Sequence, residues 1–204
     1  MSRPKNKEET ILSAALNVFI EKGFSNSSIK DIADTAGVGK GTIYEYFNNK
    51  NELFIETINF EINQRCQQAR NVIDSKTTFM DKFNAFIDLA HEAAEDDSKH
   101  VEFLIINTSM GLKPEYKVEF QNLLRKMKGD MEAIISQILI QGKTEGKIGE
   151  IDLEFASRII DGFIMGYIRD VYRKEWSNEQ KQKEKTDLIN LIMHGICISR
   201  EQFS

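Results

Sequence analysis

The sequence predicts an all-α protein with a small N-terminal three-helix domain followed by a C-terminal helical bundle. Apolar residues repeat at the spacing of an amphipathic helix along most of the 204 residues. Only 2 prolines interrupt the chain, and Glu, Lys, Ile and Leu are abundant, which favours helix over strand. With 41% hydrophobic residues, a chain of this length can bury a sizeable core.

Charge is distributed unevenly along the chain. Residues 1–50 contain seven Lys and Arg against six Asp and Glu, a net charge of +1, so the total of −5 leaves −6 for the remainder. This balance argues against a generic polyanion binder but allows a small basic face on an otherwise acidic protein.

The basic start of the chain is not followed by a secretory apolar core, and no stretch is apolar enough for a membrane span. We therefore expect a cytoplasmic protein with no membrane partner. A reducing cytoplasm favours buried thiols at Cys66 and Cys197 over a disulfide between them.

The first helix is predicted from about Lys7 to Lys22, and Gly23 is expected to end it. Its inner face is apolar at helical spacing and consists of Ile11, Ala15, Val18 and Phe19. The basic residues Arg3, Lys5 and Lys7 precede or begin it. They form either an arm that contacts phosphate or the minor groove, or a solvated tail.

Two short helices around a tight turn are predicted next. Ser28 can cap the first of them with Asp31 as its capping-box partner, and Gly37 can stop it at positive φ. In the second, Ile43 and Phe47 form the apolar face. The outer face then carries small, basic and phenolic groups suited to a DNA major groove: Lys40, Gly41, Thr42, Tyr44, Glu45 and Tyr46.

These residues resemble the DNA-binding domain of the TetR/AcrR family of regulators over roughly the first 55–60 residues. The resemblance rests on Ile32-Ala33, Ala36-Gly37-Val38, the run Lys40 to Phe47, Lys50 and Leu53-Phe54, with Ile11, Ala14, Ala15, Phe19, Gly23 and Phe24 upstream. It implies a helix-turn-helix DNA-binding domain at residues 1–55 and a helical ligand-binding and dimerisation domain at residues 56–204. It also implies a homodimer on a palindromic operator, released by a small effector.

The DNA contacts expected from residue chemistry and from the resemblance lie at and around the turn. Lys40 and the tyrosines can donate to phosphates or bases, and Gly41 permits close backbone approach. Gly39 departs from the serine that often caps this helix in the family, and Glu45 either accepts from cytosine or faces away from DNA. The predicted set is Ser27, Ser28, Gly39, Lys40, Gly41, Thr42, Tyr44, Glu45, Tyr46 and Lys50.

A fourth helix is predicted over residues 49–73, with Asn49 as its cap and Glu52 three residues later. Its N-terminus, with Lys50 beside it, is predicted to bind a phosphate. Because this helix leaves the N-terminal domain, we expect it to couple the two domains.

Phenylalanine and methionine are frequent in the C-terminal half. They either pack as plain core or line a pocket for an apolar effector, which the resemblance implies in this half. The predicted pocket residues are Phe83, Phe86, Phe103, Asn107, Met110, Met127, Met131, Phe163 and Tyr167. The alternative for this domain is binding to a protein partner.

The helix that begins at Asp152 is apolar on more than one face, and Gly162 and Gly166 leave a shallow groove along it. Its second apolar side is either a subunit interface or the contact of a central helix within one subunit. The resemblance implies dimerisation through the last two long helices.

Enzymatic alternatives have weaker support. The segment Gly37-Val-Gly-Lys-Gly-Thr42 lacks the first glycine and the Ser or Thr of a phosphate-binding loop, and a helix pattern precedes it. The three histidines, His91, His100 and His194, lack partners at metal-ligand spacing, and His91 is interpreted as a satisfied core or pocket residue. We expect no catalytic site, cofactor or metal.

Overall fold

The computed structural model describes residues 5–95, 112–174 and 176–196. In these ranges the chain forms helices and no strand, which confirms the predicted all-α class. The helices are α1 (Lys5–Asn26), α2 (Ile29–Ala36), α3 (Lys40–Tyr46), α4 (Lys50–Asp74), α5 (Phe79–Glu95), α6 (Pro114–Thr144), α7 (Leu153–Arg173) and α8 (Asn178–Ile196). Within the described ranges, no helix combines the length and apolarity that crossing a bilayer requires. The predicted helix through residues 101–110 lies outside the described residues, as does Cys197.

The chain divides into two compact units. The first, here called the head unit, comprises Met1–Arg65 with Asp97–Met127, and the second, the body unit, comprises Cys66–Asp96 with Lys128–Ser204. Helices α4 and α6 therefore contribute residues to both units. The start of α6 belongs to the same unit as the N-terminal helices, whereas a domain boundary after residue 55 would assign it to the C-terminal domain. The predicted boundary between a DNA-binding and a ligand-binding domain stays a prediction.

An aromatic cluster forms the centre of the head unit. The ring of Phe54 on α4 lies edge-on to Phe19 and to Phe24, with ring centroids 5.1 Å apart in both pairs. Phe120 on α6 adds a fourth ring, 5.8 Å from that of Phe54. The cluster joins the C-terminal end of α1 to the N-terminal part of α4. Phe24 can take part because Gly23, with φ of 73°, breaks the helical path of α1 and lets the Phe24 side chain turn inward. The predicted stop at Gly23 is confirmed as this break, although α1 is bounded at Asn26.

Helix α2 has the predicted capping groups at both ends. The Ser28 hydroxyl accepts the Asp31 N–H at 3.1 Å, and the Asp31 carboxylate accepts the Ser28 N–H at 2.9 Å, which forms a capping box. At the other end Gly37 is left-handed, with φ of 65°, and the Val38 N–H donates to the Ala33 carbonyl at 3.0 Å. This C-terminal bond of the Schellman type requires a positive φ, so glycine sets the turn before α3.

The body unit is built around a core from the end of α4 and from α5, α6, α7 and α8. Its fully buried side chains include Phe79, Phe83, Ile87 and Ile134. Gly142 on α6 lies so close to the Phe79 ring that a Cβ would approach it to 2.9 Å, so this position requires glycine.

A polar network is enclosed in the same core. His91 on α5 is buried, and its Nδ1 is hydrogen-bonded to the Tyr167 hydroxyl of α7. The Gln182 amide nitrogen of α8 lies 3.1 Å from His91 Nε2, and the Tyr167 hydroxyl donates to the Lys181 carbonyl at 3.5 Å. The prediction of a satisfied core histidine is confirmed.

Asp31 provides a pH test of the α2 capping box. The Lys22 ammonium, 2.8 Å away, and the hydroxyl and backbone N–H of Ser28 lower the pKa of the Asp31 carboxyl from 3.8 to about 2. Because a lowered folded-state pKa adds stability above the unfolded value, that stability is lost as the pH falls from about 4 to about 2. We expect Asp31→Asn to lower the melting temperature at about pH 6 and to have less effect near pH 2. Asp34→Asn, on the exposed side of α2, is the control, and an Asp31 titration midpoint near 3.8 by NMR would contradict the prediction.

Asp161 on α7 is expected to show the opposite pH dependence. Burial and the neighbouring Glu132 carboxylate of α6 raise the pKa of this carboxyl to about 6, against the lowering effect of Lys128. The folded state then binds the proton more tightly than the unfolded state, so stability falls as the pH rises from about 4 to about 6. We expect Asp161→Asn to stabilise the protein by about 1–3 kcal/mol near pH 8 and by much less near pH 4. Urea denaturation at both pH values measures this, and an equal effect at both would contradict the raised pKa.

Candidate nucleic-acid interface

Helix α3 is a seven-residue helix held by one apolar side. Gly39 begins it in an extended conformation, with φ of −74° and ψ of 150°, and provides no side-chain cap. Ile43 and Phe47 are both buried, as their helical spacing predicted. Their burial determines which side of α3 faces outward.

The outward side of α3 carries the predicted DNA-contacting groups. Lys40, Gly41, Tyr44 and Glu45 are exposed, and the Tyr44 side chain is 55% exposed. A Cβ built on Gly41 would meet no atom within 4 Å, so the backbone there is open to close approach. An ammonium, a phenol and an accessible backbone on one short helix can donate hydrogen bonds to phosphates and to base edges. The contacts themselves stay a prediction.

Thr42 and Tyr46 lie at the edges of this exposed side. Both are half-buried, and the Tyr46 ring lies 6.2 Å from that of Phe47. They therefore combine a packing contact with a partly accessible surface.

The two serines before α2 differ in their surroundings. Ser28 is exposed and caps α2, so its hydroxyl lies at the surface. Ser27 is only 5% exposed, and its hydroxyl donates to the Phe24 carbonyl at 2.8 Å. The predicted DNA contact of Ser27 stays a prediction, and its hydroxyl is buried in the DNA-free chain.

The first turn of α4 carries the remaining predicted DNA-contacting residue, Lys50. Asn49 caps the helix as expected, since its side-chain oxygen accepts the N–H groups of Asn51 and Glu52 at 2.9 and 3.1 Å. The Glu52 carboxylate accepts the N–H of Asn48 at 2.8 Å, one residue before the predicted partner. In the DNA-free chain the Lys50 ammonium donates to the backbone carbonyls of Phe24 and Ser27, and its predicted phosphate contact stays a prediction.

Two asparagines of this turn make contacts that sequence reasoning missed. The Asn49 side-chain amide donates to the Tyr116 hydroxyl at 2.7 Å, and the Asn51 side-chain oxygen accepts the Lys113 N–H at 3.3 Å. Both partners lie at the start of α6, within the head unit. The only sequence signal is the surplus of asparagines where a single cap suffices.

The predicted effector residues that the structure describes differ in their burial. Phe83, Phe86 and Tyr167 belong to the body-unit core, and Met131 packs against it. Phe163 is instead 47% exposed and, with Tyr167, Trp176 and Leu191, lines an open cleft of about 270 Å³ between α7 and α8. Met127 belongs to the head unit, and Phe103, Asn107 and Met110 lie outside the described residues.

An exposed apolar strip runs along α7. Phe155, Ile159 and Phe163 follow one another at four-residue spacing, and all three are exposed, as is Leu191 on α8. A Cβ on Gly162 would meet nothing within 4 Å, so the helix surface is open beside this strip. The predicted second apolar side of this helix therefore faces away from the body-unit core.

Comparison with known proteins agrees with this architecture. Residues 11–57 match the family model described as bacterial regulatory proteins, tetR family. The fatty acid metabolism regulator protein of Bacillus subtilis (strain 168) is 30% identical over 171 residues, which cover 80% of this chain and 82% of that protein.

Solved structures show the same fold. The transcriptional regulator FadR from Bacillus subtilis, solved in complex with stearoyl-CoA, superposes with a TM-score of 0.72 at 26% identity and covers 92% of this chain and 98% of that one. A TetR transcription regulator from Haloarcula marismortui superposes with a TM-score of 0.80 at 16% identity and covers 96% and 100% of the two chains. From the helix-turn-helix geometry, the family match and the extent of these similarities, we conclude that the chain belongs to the TetR family of transcriptional regulators.

Proposed function

We propose that the protein is a ligand-responsive repressor that binds a palindromic operator as a homodimer. The observation that carries this proposal is the exposed side of α3, which the burial of Ile43 and Phe47 turns outward with Lys40 and Tyr44 on it. A short helix of this kind fits the width of a B-DNA major groove.

Each group on the proposed reading face has a separate role. Lys40 donates to phosphate or to guanine acceptors, and Tyr44 donates its hydroxyl to phosphate. Ser28, Gly39, Thr42 and Tyr46 border the contact. Glu45, exposed beside Tyr44, accepts from a cytosine amino group or lies outside the contact.

The apolar strip on α7 supports dimerisation. Phe155, Ile159 and Phe163 leave a contiguous apolar surface exposed on one protomer, which favours contact with an apolar partner surface. Gly162 permits close approach of a second helix beside it. A twofold dimer would place two copies of α3 on half-sites related by the same symmetry.

The body unit is proposed to bind a long-chain acyl thioester. This proposal comes from FadR of Bacillus subtilis, which was solved with stearoyl-CoA and is 26% identical to this chain. Phe83, Phe86 and Met131 provide apolar, partly adaptable packing of the kind that an acyl chain requires. Helix α4, whose residues belong to both units, is the proposed coupler. An effector can shift the equilibrium between two conformations of the protein only as far as its affinities for them differ.

Gly41→Ala tests the close approach of α3 to DNA. The substitution meets open space in the free protein, so we expect it to stabilise α3 by roughly 0.5–1 kcal/mol. It should weaken DNA binding, because the added methyl group lies where a phosphate or base would approach. Gly129→Ala on α6, also exposed with open space around it, is the matched control and should stabilise without affecting DNA binding. Unchanged operator affinity of Gly41→Ala in a fluorescence titration would contradict the proposed face.

The proposed function as a whole is tested by selecting duplexes from a random pool with the full chain. We expect a palindromic consensus, and addition of stearoyl-CoA should weaken binding to that duplex about tenfold or more. Free coenzyme A and stearate serve as controls for the two halves of the ligand. Failure of any duplex to be enriched would reject the DNA-binding role, whereas a bound duplex that acyl-CoA does not release would reject the effector alone.

A further inference from the structure

Two carboxyl groups from different helices of the body unit lie at one buried place. Asp161 lies on α7, four residues after the buried Ser157 and three before Ile164 of the body-unit core, and is only 8% exposed. Glu132 lies on α6, and its Oε1 atom is buried with no hydrogen-bond partner among the described residues. A buried acceptor without a donor destabilises a fold, so this oxygen needs a physical explanation.

The charged groups around Asp161 come from α6. Among the described residues, Glu132 and Lys128 are the charged groups that act on the Asp161 carboxyl. The Lys128 ammonium lies 3.7 Å from Glu132 Oε1, beyond the length of a hydrogen bond, and its side chain is 56% exposed. Lys128 therefore attracts Glu132 without satisfying that oxygen. Asp161 faces a carboxylate of the neighbouring helix, and two ionised carboxylates at one buried place repel each other.

We propose that Asp161 and Glu132 hold one proton between them, and that this shared proton makes the contact between α6 and α7 sensitive to pH. A protonated Asp161 carboxyl provides the O–H donor that Glu132 Oε1 lacks, and it removes the repulsion between the two groups. Asp161 is the more deeply buried of the two, and burial favours its neutral form, in agreement with the raised pKa of this carboxyl. The inference concerns the body unit alone and does not depend on the proposed binding of DNA or of an acyl thioester.

A metal ion fits this place less well than a proton does. Metal sites in proteins usually combine several carboxylate, histidine or cysteine ligands. In the part of the chain that the structure describes, no group of three or more such residues could hold a metal ion. The Lys128 ammonium nearby also disfavours a second cation. A proton needs one donor and one acceptor, which the two carboxyl groups provide.

The direction of the pH response follows from the shared proton. As the pH rises through about 6, the Asp161 carboxyl loses its proton in the folded protein. Glu132 Oε1 then loses its donor, and the two carboxylates repel each other. The contact between α6 and α7 is therefore firmer below about pH 6 than above it.

Carbon-13 NMR titration of the Asp161 carboxyl in the full chain tests whether Glu132 shares the proton. Glu132→Gln removes the charge, keeps the size of the side chain, and places an amide that can donate to an ionised Asp161. We expect a midpoint near 6 in the wild type and a midpoint lower by at least about 1 pH unit in Glu132→Gln. Glu119→Gln, exposed on the same helix, is the control and should match the wild type. A wild-type midpoint near 3.8, or one that Glu132→Gln leaves unchanged, would overturn the proposal.

Two substitutions of Asp161 distinguish a shared proton from burial alone. Asparagine keeps a donor for Glu132 Oε1, whereas leucine has a similar size and no donor. For a carboxyl that is merely buried, the apolar leucine would be at least as stable as asparagine. With a shared proton, leucine leaves Glu132 Oε1 without a donor, so we expect Asp161→Asn to melt about 2–4 °C higher than Asp161→Leu.

Removal of the acceptor is the control for this comparison. In a Glu132→Met background the advantage of Asp161→Asn over Asp161→Leu should disappear, because no buried oxygen is left to satisfy. Equal melting temperatures of the two variants with Glu132 present would contradict the shared proton. If Asp161→Leu does not fold, the NMR titration decides.

Addition of Mg²⁺ or Ca²⁺ at about pH 8, where the proton is lost, tests the other occupant. We expect neither ion to raise the melting temperature of the wild type relative to Asp161→Asn. A rise in the wild type that Asp161→Asn lacks would assign the place to a metal ion and would overturn the proposal.

Discussion

Two buried side chains, Ile43 and Phe47, hold α3 in its orientation. A helix of seven residues is too short to be stable by its own backbone hydrogen bonds, so packing must fix it. Full burial of a side chain of this type contributes about 1.5–3 kcal/mol. Rotation of α3 that exposed both would lose this stabilisation and would bury Lys40 or Glu45 without partners. The chemistry presented to a nucleic acid is thus a consequence of apolar packing on the opposite side of the helix.

The head unit completes this arrangement with polar contacts at helix ends. Helix α2 is closed at its start by Ser28 and Asp31 and at its end by the left-handed Gly37. Helix α4 is closed by Asn49, whose amide also reaches Tyr116 of α6. Short helices have a high proportion of unpaired terminal N–H and carbonyl groups, so side chains from other segments satisfy a large share of them. A contact that appears to belong to a binding site can therefore serve the fold.

The body unit has a different balance between core and surface. Its interior encloses the hydrogen-bonded His91 and Tyr167, which link α5 to α7 and, through Gln182, to α8. The outer side of α7 leaves Phe155 and Phe163 exposed. Buried polar groups with satisfied partners specify one arrangement of these helices, whereas an exposed apolar strip stays available for another surface. In the proposed dimer, the buried network would hold α7 and α8 in place, and the exposed strip on α7 would contact the second protomer.

The sequence by itself determined the helical class, the caps at Ser28, Gly37 and Asn49, and the division of α3 into a buried and an exposed side. These features depend on residues within a few positions of one another, where helical spacing and backbone preference act directly. Only the tertiary structure decided that Ser27 is buried, that Lys50 reaches the carbonyl of Phe24, and that the start of α6 packs with the N-terminal helices. The contacts of Lys50 and of the start of α6 join segments far apart in the chain, and a long flexible side chain gives no sign in sequence of which of several acceptors it will reach.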